Sequence, residues 1–179
     1  MDLFELDEAF ARYGERHSPQ AWLAAEYRAF LASHPTVFER AHAPGHFTGS
    51  AWLVSADGER VLLTHHRKLD LWLQPGGHAD GDGDLAGVAL REAEEETGLP
   101  GLRVEGGVFD LDRHVIPARG DEPEHYHYDV RFVVRAGSDE NFTVSEESHA
   151  LAWRPVREIA ADANADNSVR RMARKWLAR

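Results

Sequence analysis

Apolar residues at the start of the chain recur with the period of a helix. Leu3, Leu6, Phe10 and Tyr13 lie three or four apart and so share one stripe. Ser18-Pro19 opens a second amphipathic run carrying Trp22, Leu23, Tyr27, Phe30 and Leu31; Pro35 interrupts it, and Val37-Phe38 belongs to a short third turn. Residues 1–44 therefore read as a helical N-terminal extension. From Phe47 the period shortens to that of strands. Residues 47–55 and 60–66 flank Asp57-Gly58, a pair that favours the backbone angles of a tight hairpin. Further apolar runs at 104–116, 126–135 and 151–153 read as strands. Residues 168–177, with Val169, Met172, Ala173, Trp176 and Leu177, read as a last amphipathic helix. Between the two groups of strands, residues 85–96 contain no proline; Asp82 or Asp84 can cap their start and Gly98 can end them. Strands on both sides of an embedded helix predict an α/β layered domain over residues 45–179.

The embedded helix carries the candidate chemistry. Glu92, Glu95 and Glu96 stand at i, i+3 and i+4, so their carboxylates share a face. Each like-charged pair costs roughly a few tenths of a kcal/mol on a bare helix. Either a cation sits among them or they face open water. Asp80, Asp82 and Asp84 make the preceding loop anionic as well, and Gly76-Gly77, after Pro75, let the backbone approach a ligand closely. Clustered carboxylates of this kind suit a hard divalent cation, Mg²⁺ or Mn²⁺. An ordinary acidic, solvated helix face is the plainer alternative.

This stretch resembles the Nudix box, Gly-x5-Glu-x7-Arg-Glu-U-x-Glu-Glu-x-Gly-U, with U a bulky aliphatic residue. Gly77 takes the first position, and Arg91-Glu92-Ala93-Glu94-Glu95-Glu96-Thr97-Gly98-Leu99 fills the end without a gap. Two positions depart from the pattern: the isolated Glu falls on Gly83, and the first U is Ala93. The resemblance implies a mixed β-sheet sandwiched between helices, with the box as loop–helix–loop. It also implies a metal-dependent pyrophosphohydrolase, in which water attacks a phosphorus of a nucleoside diphosphate derivative or related organic diphosphate. On that reading Glu92 and Glu96 ligate Mg²⁺ (or Mn²⁺), and Glu95 is a further ligand or the base. The Gly76 carbonyl completes the shell, and Arg91 orients the glutamates through an ion pair. Relatives often bring an extra acid from the region that here holds Glu146 and Glu147, which makes Glu147 a candidate catalytic residue. Asp82 or Asp84 is a candidate substitute for the glutamate missing at Gly83.

Composition narrows the setting. At 42% hydrophobic and 28% charged residues the chain is globular rather than disordered. It has no cysteine, which excludes disulfides and thiolate chemistry and counts against an isopentenyl-diphosphate-isomerase-like reaction on the same scaffold. The N-terminus is acidic without a basic-then-apolar signal, and no apolar run reaches membrane-spanning length, which predicts a cytoplasmic protein. A net charge of −11 argues against an extended nucleic-acid surface. A small diphosphate such as a nucleotide stays compatible, because a bound cation inverts the local potential.

Histidines, eleven in all, add three groups. Alternation in 126–135 places Tyr126, Tyr128, Val130, Phe132 and Val134 on one sheet face; His125, His127, Asp129 and Arg131 share the other. The second set is expected to line a polar face reaching substrate or solvent, with a Zn²⁺ or Fe²⁺ site, as in a metal-dependent oxygenase, as the alternative. His65-His66-Arg67-Lys68 is a basic patch able to hold a distal phosphate, or else a solvated turn. His78, directly after the glycines, is a candidate phosphate contact. The N-terminal extension is expected to cover the core, with a pocket wall or a homodimer contact as the other readings. Gly83 leaves one rival function, a Nudix-fold binding or regulatory module without hydrolysis.

Overall fold

The computed structural model describes residues 2–66, 70–144 and 148–179. In chain order the elements are α1 (Leu3–Arg16), a 3₁₀ turn (Ser18–Gln20), α2 (Ala21–Leu31), β1 (Gly45–Val54), β2 (Arg60–His66), β3 (Leu71–Leu73) and β4 (Gly76–His78). They continue with α3 (Leu85–Thr97), β5 (Arg103–Ile116), β6 (His125–Arg135), β7 (Ser148–Pro155), α4 (Val156–Ala161) and α5 (Asn167–Leu177).

The strand β1 is the axis of the sheet, and all ten of its residues are buried. One edge runs parallel to β6 over its whole length, from Gly45 opposite Tyr126 to Val54 opposite Arg135. The other edge is divided. Val54 pairs with Val61 of β2, and beyond that point β1 leaves β2 and pairs antiparallel with β4 at Thr48, Gly49 and Ser50. On the outer side, β5 pairs with β6, and β2 carries both β3 and β7, all antiparallel. The result is a mixed seven-stranded sheet between helices. Three elements escape the sequence pattern, and β3, three residues long, is too short to show an alternation. The strand β4 has two glycines in three residues, with little intrinsic strand preference, and exists because β1 pairs with it. The helix α4 is six residues long, too short for a period to show.

Alternation along β1 and β6 divides the core in two. Phe47, Ala51 and Leu53 with Val130, Phe132 and Val134 face α1, α2 and α3. Trp52, Val54 and Val133 face α4 and α5. The N-terminal extension covers the first core: Leu6, Phe10, Tyr13 and Tyr27 are fully buried there, and the Phe30 ring stacks on Tyr128 at 3.8 Å. Leu3 and Trp22, which the helical period places on the apolar stripes, are instead 57% and 64% exposed; each lies in the first turn of its helix. Asp2 and Glu5 close a reciprocal capping box at the start of α1, both bonds 2.8 Å.

The polar face of β6 does not open to solvent as the alternation suggested. Asp129 and Arg131 are each only 2% exposed, and His125 is buried beside them. The Arg131 guanidinium lies 2.7 Å from Asp129, 3.4 Å from Asp110 and 3.3 Å from Asp112. From α5, Arg171 reaches Asp110 at 2.6 Å and Asp112 at 2.8 Å, and Lys175 reaches Asp110 at 2.5 Å. Three carboxylates thus meet three cations, which is what makes so many buried charges tolerable. Thr48 and Ser50 of β1 donate to Asp129 at 2.9 and 2.7 Å. The Tyr13 hydroxyl of α1 joins Asp110 and Lys175 at the other end.

Burial pushes the Asp110 and Asp112 carboxyls up, but the surrounding Arg131, Arg171 and Lys175, with His114 at Asp112, overcome it and hold both below the usual carboxylate range. A carboxyl whose pKa is depressed on folding contributes stability above its unfolded value and loses that contribution as pH falls. Urea unfolding should therefore show stability declining from about pH 5 downward, where unfolded aspartates begin to protonate. Asp112→Asn should lower stability at neutral pH and flatten that decline; an unchanged acid slope would detach Asp112 from it. Packing makes a second prediction. A Cβ on Gly49 would lie 2.7 Å from the Leu85 carbonyl oxygen and 3.0 Å from Val88, whereas one on Gly107 would meet nothing within 4 Å. Gly49→Ala should cost about 1–3 kcal/mol in urea unfolding, and Gly107→Ala less than about 0.5 kcal/mol.

Candidate active site

The helix α3 buries Leu85, Val88, Ala89 and Ala93 against β1 and ends at Gly98, whose φ of 65° and N–H bond to the Glu94 carbonyl at 2.8 Å form a left-handed cap. The start differs in detail from the capping expected of it. Asp84 holds the N-cap position without a side-chain cap bond, while Asp82 accepts the Asp84 N–H at 2.9 Å and so shapes the loop. A Cβ on Gly87 would come within 2.8 Å of the Asp84 carboxylate, so that side chain lies along the first turn of α3.

Glu92 and Glu96 are half-buried on the side of α3 that meets β4, and Glu94 and Glu95 are exposed. The Gly76 N–H donates to Glu96 Oε1 at 2.8 Å. A Cβ on Gly77 would lie 2.5 Å from both Glu92 carboxylate oxygens, and one on Gly76 would lie 2.2 Å from Ser50 Oγ. Both faces of β4 are therefore filled, by Glu92 on one side and Ser50 on the other, and only a glycine pair fits between them. In a strand the N–H and C=O of one residue point to the same edge. The Gly76 carbonyl is accordingly directed to the edge at which Glu96 lies. Two carboxylates and a strand-edge carbonyl are hard oxygen donors of the sort Mg²⁺ or Mn²⁺ takes.

The remaining candidates separate. Arg91 is exposed and pairs at 3.5 Å with Asp82 of the preceding loop, rather than bracing the glutamates. Gly83 leaves room where the box has its isolated Glu: among the described residues a Cβ there would meet only the Phe38 ring, at 3.9 Å. His65 pairs with Asp70 at 2.9 Å and stacks on Trp72 at 5.0 Å. Its neighbours in the basic patch, Arg67 and Lys68, lie outside the described residues, as does Glu147. His78 and His127 come together, but on the sheet face opposite Gly77 and Glu92, with ring centroids 5.0 Å apart. Between them is His46 of β1, 5.1 Å from His78 and 4.8 Å from His127. Sequence reasoning missed His46, because only the register of β1 on β6, His46 opposite His127, brings it there. It also missed Asp110 and Asp112, although with His114 they alternate on one face of β5 and could have been read as a polar stripe.

The fold agrees with comparisons to known proteins. The family model for the NUDIX domain matches residues 46–176, so the chain belongs to the Nudix family. It is a hydrolase of the class that acts on phosphorus anhydrides. Similar solved structures include a C. elegans Ap4A hydrolase binary complex, 18% identical over 74% of this chain and 95% of that one, with a TM-score of 0.58. A NUDIX family hydrolase from Clostridium perfringens is 21% identical over 74% of this chain and 96% of that one, TM-score 0.53. The E. coli dihydroneopterin triphosphate pyrophosphohydrolase is 16% identical over 74% and 94%, TM-score 0.54. At these identities the likeness is one of fold. Comparison of the sequence with curated proteins gives no match.

The contact of Gly77 with Glu92 makes a prediction that separates function from folding. In Gly77→Ala the new methyl displaces the end of a flexible side chain rather than backbone, so the melting temperature should move little. Turnover of a diphosphate substrate should fall by about 100-fold, as expected when a group that positions the reaction is displaced by about an ångström. Unchanged turnover would show that the position of Glu92 against β4 is immaterial.

Proposed function

We propose that this chain cleaves a diphosphate linkage in a nucleoside diphosphate derivative or related organic diphosphate, by attack of water at phosphorus with the help of Mg²⁺ or Mn²⁺. The observation that carries the reading is the seating of Glu92 and Glu96 at the Gly76-Gly77 edge of β4. These residues and the Gly76 carbonyl would hold the cation, with Glu95, exposed one turn before Leu99, as a further ligand or the base. A divalent cation bound there neutralises phosphate oxygens and lowers the pKa of a coordinated water. The chain's own part is positional. Backbone N–H bonding fixes Glu96, Gly77 fixes the approach of Glu92, and α3 is anchored to the sheet beneath both.

Two proteins with this fold are an Ap4A hydrolase and a dihydroneopterin triphosphate pyrophosphohydrolase. Their names support a phosphorus anhydride joined to an organic group as the substrate class here. A small anionic substrate in the cytoplasm also accords with a cysteine-free chain of net charge −11, whose cation rather than its surface would attract phosphate. No described helix is long and apolar enough to cross a membrane.

The test is a panel of organic diphosphates incubated with Mg²⁺ or Mn²⁺ and scored by product mass. Metal-dependent release of a monophosphate product is expected. On that substrate Glu96→Gln should lose at least about 100-fold in turnover, roughly 3 kcal/mol of transition-state stabilisation. Glu94→Gln is the matched control, since a residue two positions from Glu92 and Glu96 points to the opposite side of a helix with about 3.6 residues per turn; it should cost little. Equal losses in both variants, or binding without hydrolysis across the panel, would overturn the reading and favour the binding module that the Gly83 departure allows.

A further inference from the structure

On the sheet face opposite Glu92, His46, His78, His125 and His127 crowd together, and the His114 ring lies 5.5 Å from that of His127. His46 is 1% exposed and His125 8% exposed, and both lie with the half-buried His127 at one end of the β1–β6 pair. Ring centroids are 4.8 Å apart for His46 and His127, 5.0 Å for His46 and His125, and 5.2 Å for His125 and His127. Both ring nitrogens of His46 and Nε2 of His125 and of His127 are buried without a hydrogen-bond partner among the described residues. A buried polar atom left unpaired costs about 1–3 kcal/mol, so four such nitrogens in one place need an occupant that accounts for them.

The geometry points to a transition-metal site formed by His46, His125 and His127, separate from the carboxylate site and suited to Zn²⁺ or a similar imidazole-preferring ion. One potential donor atom from each residue lies within 4.8 Å of the others, the one such group among the described residues. Zn–N bonds of about 2.0–2.1 Å place tetrahedral nitrogens about 3.4 Å apart, so the donor atoms, now within 4.8 Å, need to close by up to about 1.4 Å. His125 is already oriented for this. Its Nδ1 lies 2.9 Å from the Pro123 carbonyl, an acceptor only, so Nδ1 carries the proton and Nε2 presents its lone pair. Burial keeps the other imidazoles neutral, His46 with its pKa pushed down to about 4 and His78 and His127 also lowered. Asp129, which the sequence pattern offered as the carboxylate of such a set, is committed to Thr48, Ser50 and Arg131. The donor set is therefore all imidazole, which favours Zn²⁺, Ni²⁺ or Cu²⁺ over Mg²⁺.

Access comes from the rim. His125 also lines a cavity of about 470 Å³ with Arg40, His42, Asp121, Glu122 and Pro123. Water or a ligand from that cavity can fill a fourth position, and His78, 5.1 Å from His46 and 5.0 Å from His127, borders the site from β4. The two metal sites would then lie on opposite faces of β4, one reached past Gly77 and the other past His78.

The experiment uses the full chain stripped of metal and titrated with Co²⁺, a spectroscopic stand-in for Zn²⁺. The Glu92→Gln/Glu96→Gln double variant isolates the histidine site. It should bind one Co²⁺ per chain with a visible absorption band that Zn²⁺ abolishes, and Zn²⁺ should raise its melting temperature by binding the native state alone. Adding His46→Ala or His125→Ala to that background should weaken Co²⁺ binding by about 100-fold or more and remove both the band and the Zn²⁺ shift, with metal-free circular dichroism reporting that the fold is kept. His125→Ala, at the cavity rim, carries the test if His46→Ala does not fold. The proposal is overturned if the double variant binds no Co²⁺, or if the histidine substitutions leave its binding unchanged.

Discussion

The contact between α3 and the β1–β4 pair is the constraint on which the site depends. Gly49 and Gly77 face each other across the two strands, and neither leaves space for a side chain. At Gly49 the helix backbone comes close enough to exclude a Cβ; at Gly77 the Glu92 carboxylate does. This close approach sets the height of the helix over the sheet, and the Gly76 bond to Glu96 sets its rotation. Carboxylates that would repel one another on an isolated helix are thus held at a strand edge with backbone polar groups beside them. The electrostatic cost is accepted where a cation can offset it.

The opposite face of the sheet is organised by charge rather than by apolar packing alone. Arg131 and its three aspartates form a strip between the α4–α5 core and the histidine cluster. Lys175 and Arg171 bring α5 to that strip, and Tyr13 brings α1 to it from the other core. Among the described residues, removing Arg131 would leave Asp129 buried without a cation and removing Asp110 would leave Lys175 without a carboxylate, so the network ties α5 to the β5–β6 pair. It also keeps Asp129 away from the histidines, which makes the donor chemistry of that cluster purely nitrogen.

The N-terminal helices are part of the main core rather than an ornament on it. Phe30 packs edge-on against Phe47 and stacks on Tyr128, and two carbonyls of the turn after the helices accept hydrogen bonds from the structure that carries the site. Phe47 N–H bonds to Val37 and Gly81 N–H to Phe38, each at 2.9 Å, so the extension holds both β1 and the loop that precedes α3. A segment that precedes the family match at residue 46 thereby shapes the entry to α3.

Much of this was legible in the sequence for a physical reason: periods of 2 and 3.6 and the positions of Gly and Pro are local properties. The helix at residues 85–97, its Gly98 stop, the strands at β2, β5 and β6 and the spacing of Glu92 and Glu96 all follow from neighbours along the chain. The reason for Gly76-Gly77 was visible only in part; close approach was expected, but that Glu92 and Ser50 fill the two faces is tertiary. The fate of polar faces was also beyond local pattern. Alternation placed His125, His127, Asp129 and Arg131 on one side, yet whether that side meets water depends on α5, which lies some forty residues further on, and on β5. His46 belongs with them only because β1 and β6 pair in parallel at one register, across some eighty residues of chain. Local patterning decided which atoms each segment could present, and long-range strand pairing decided which of them meet.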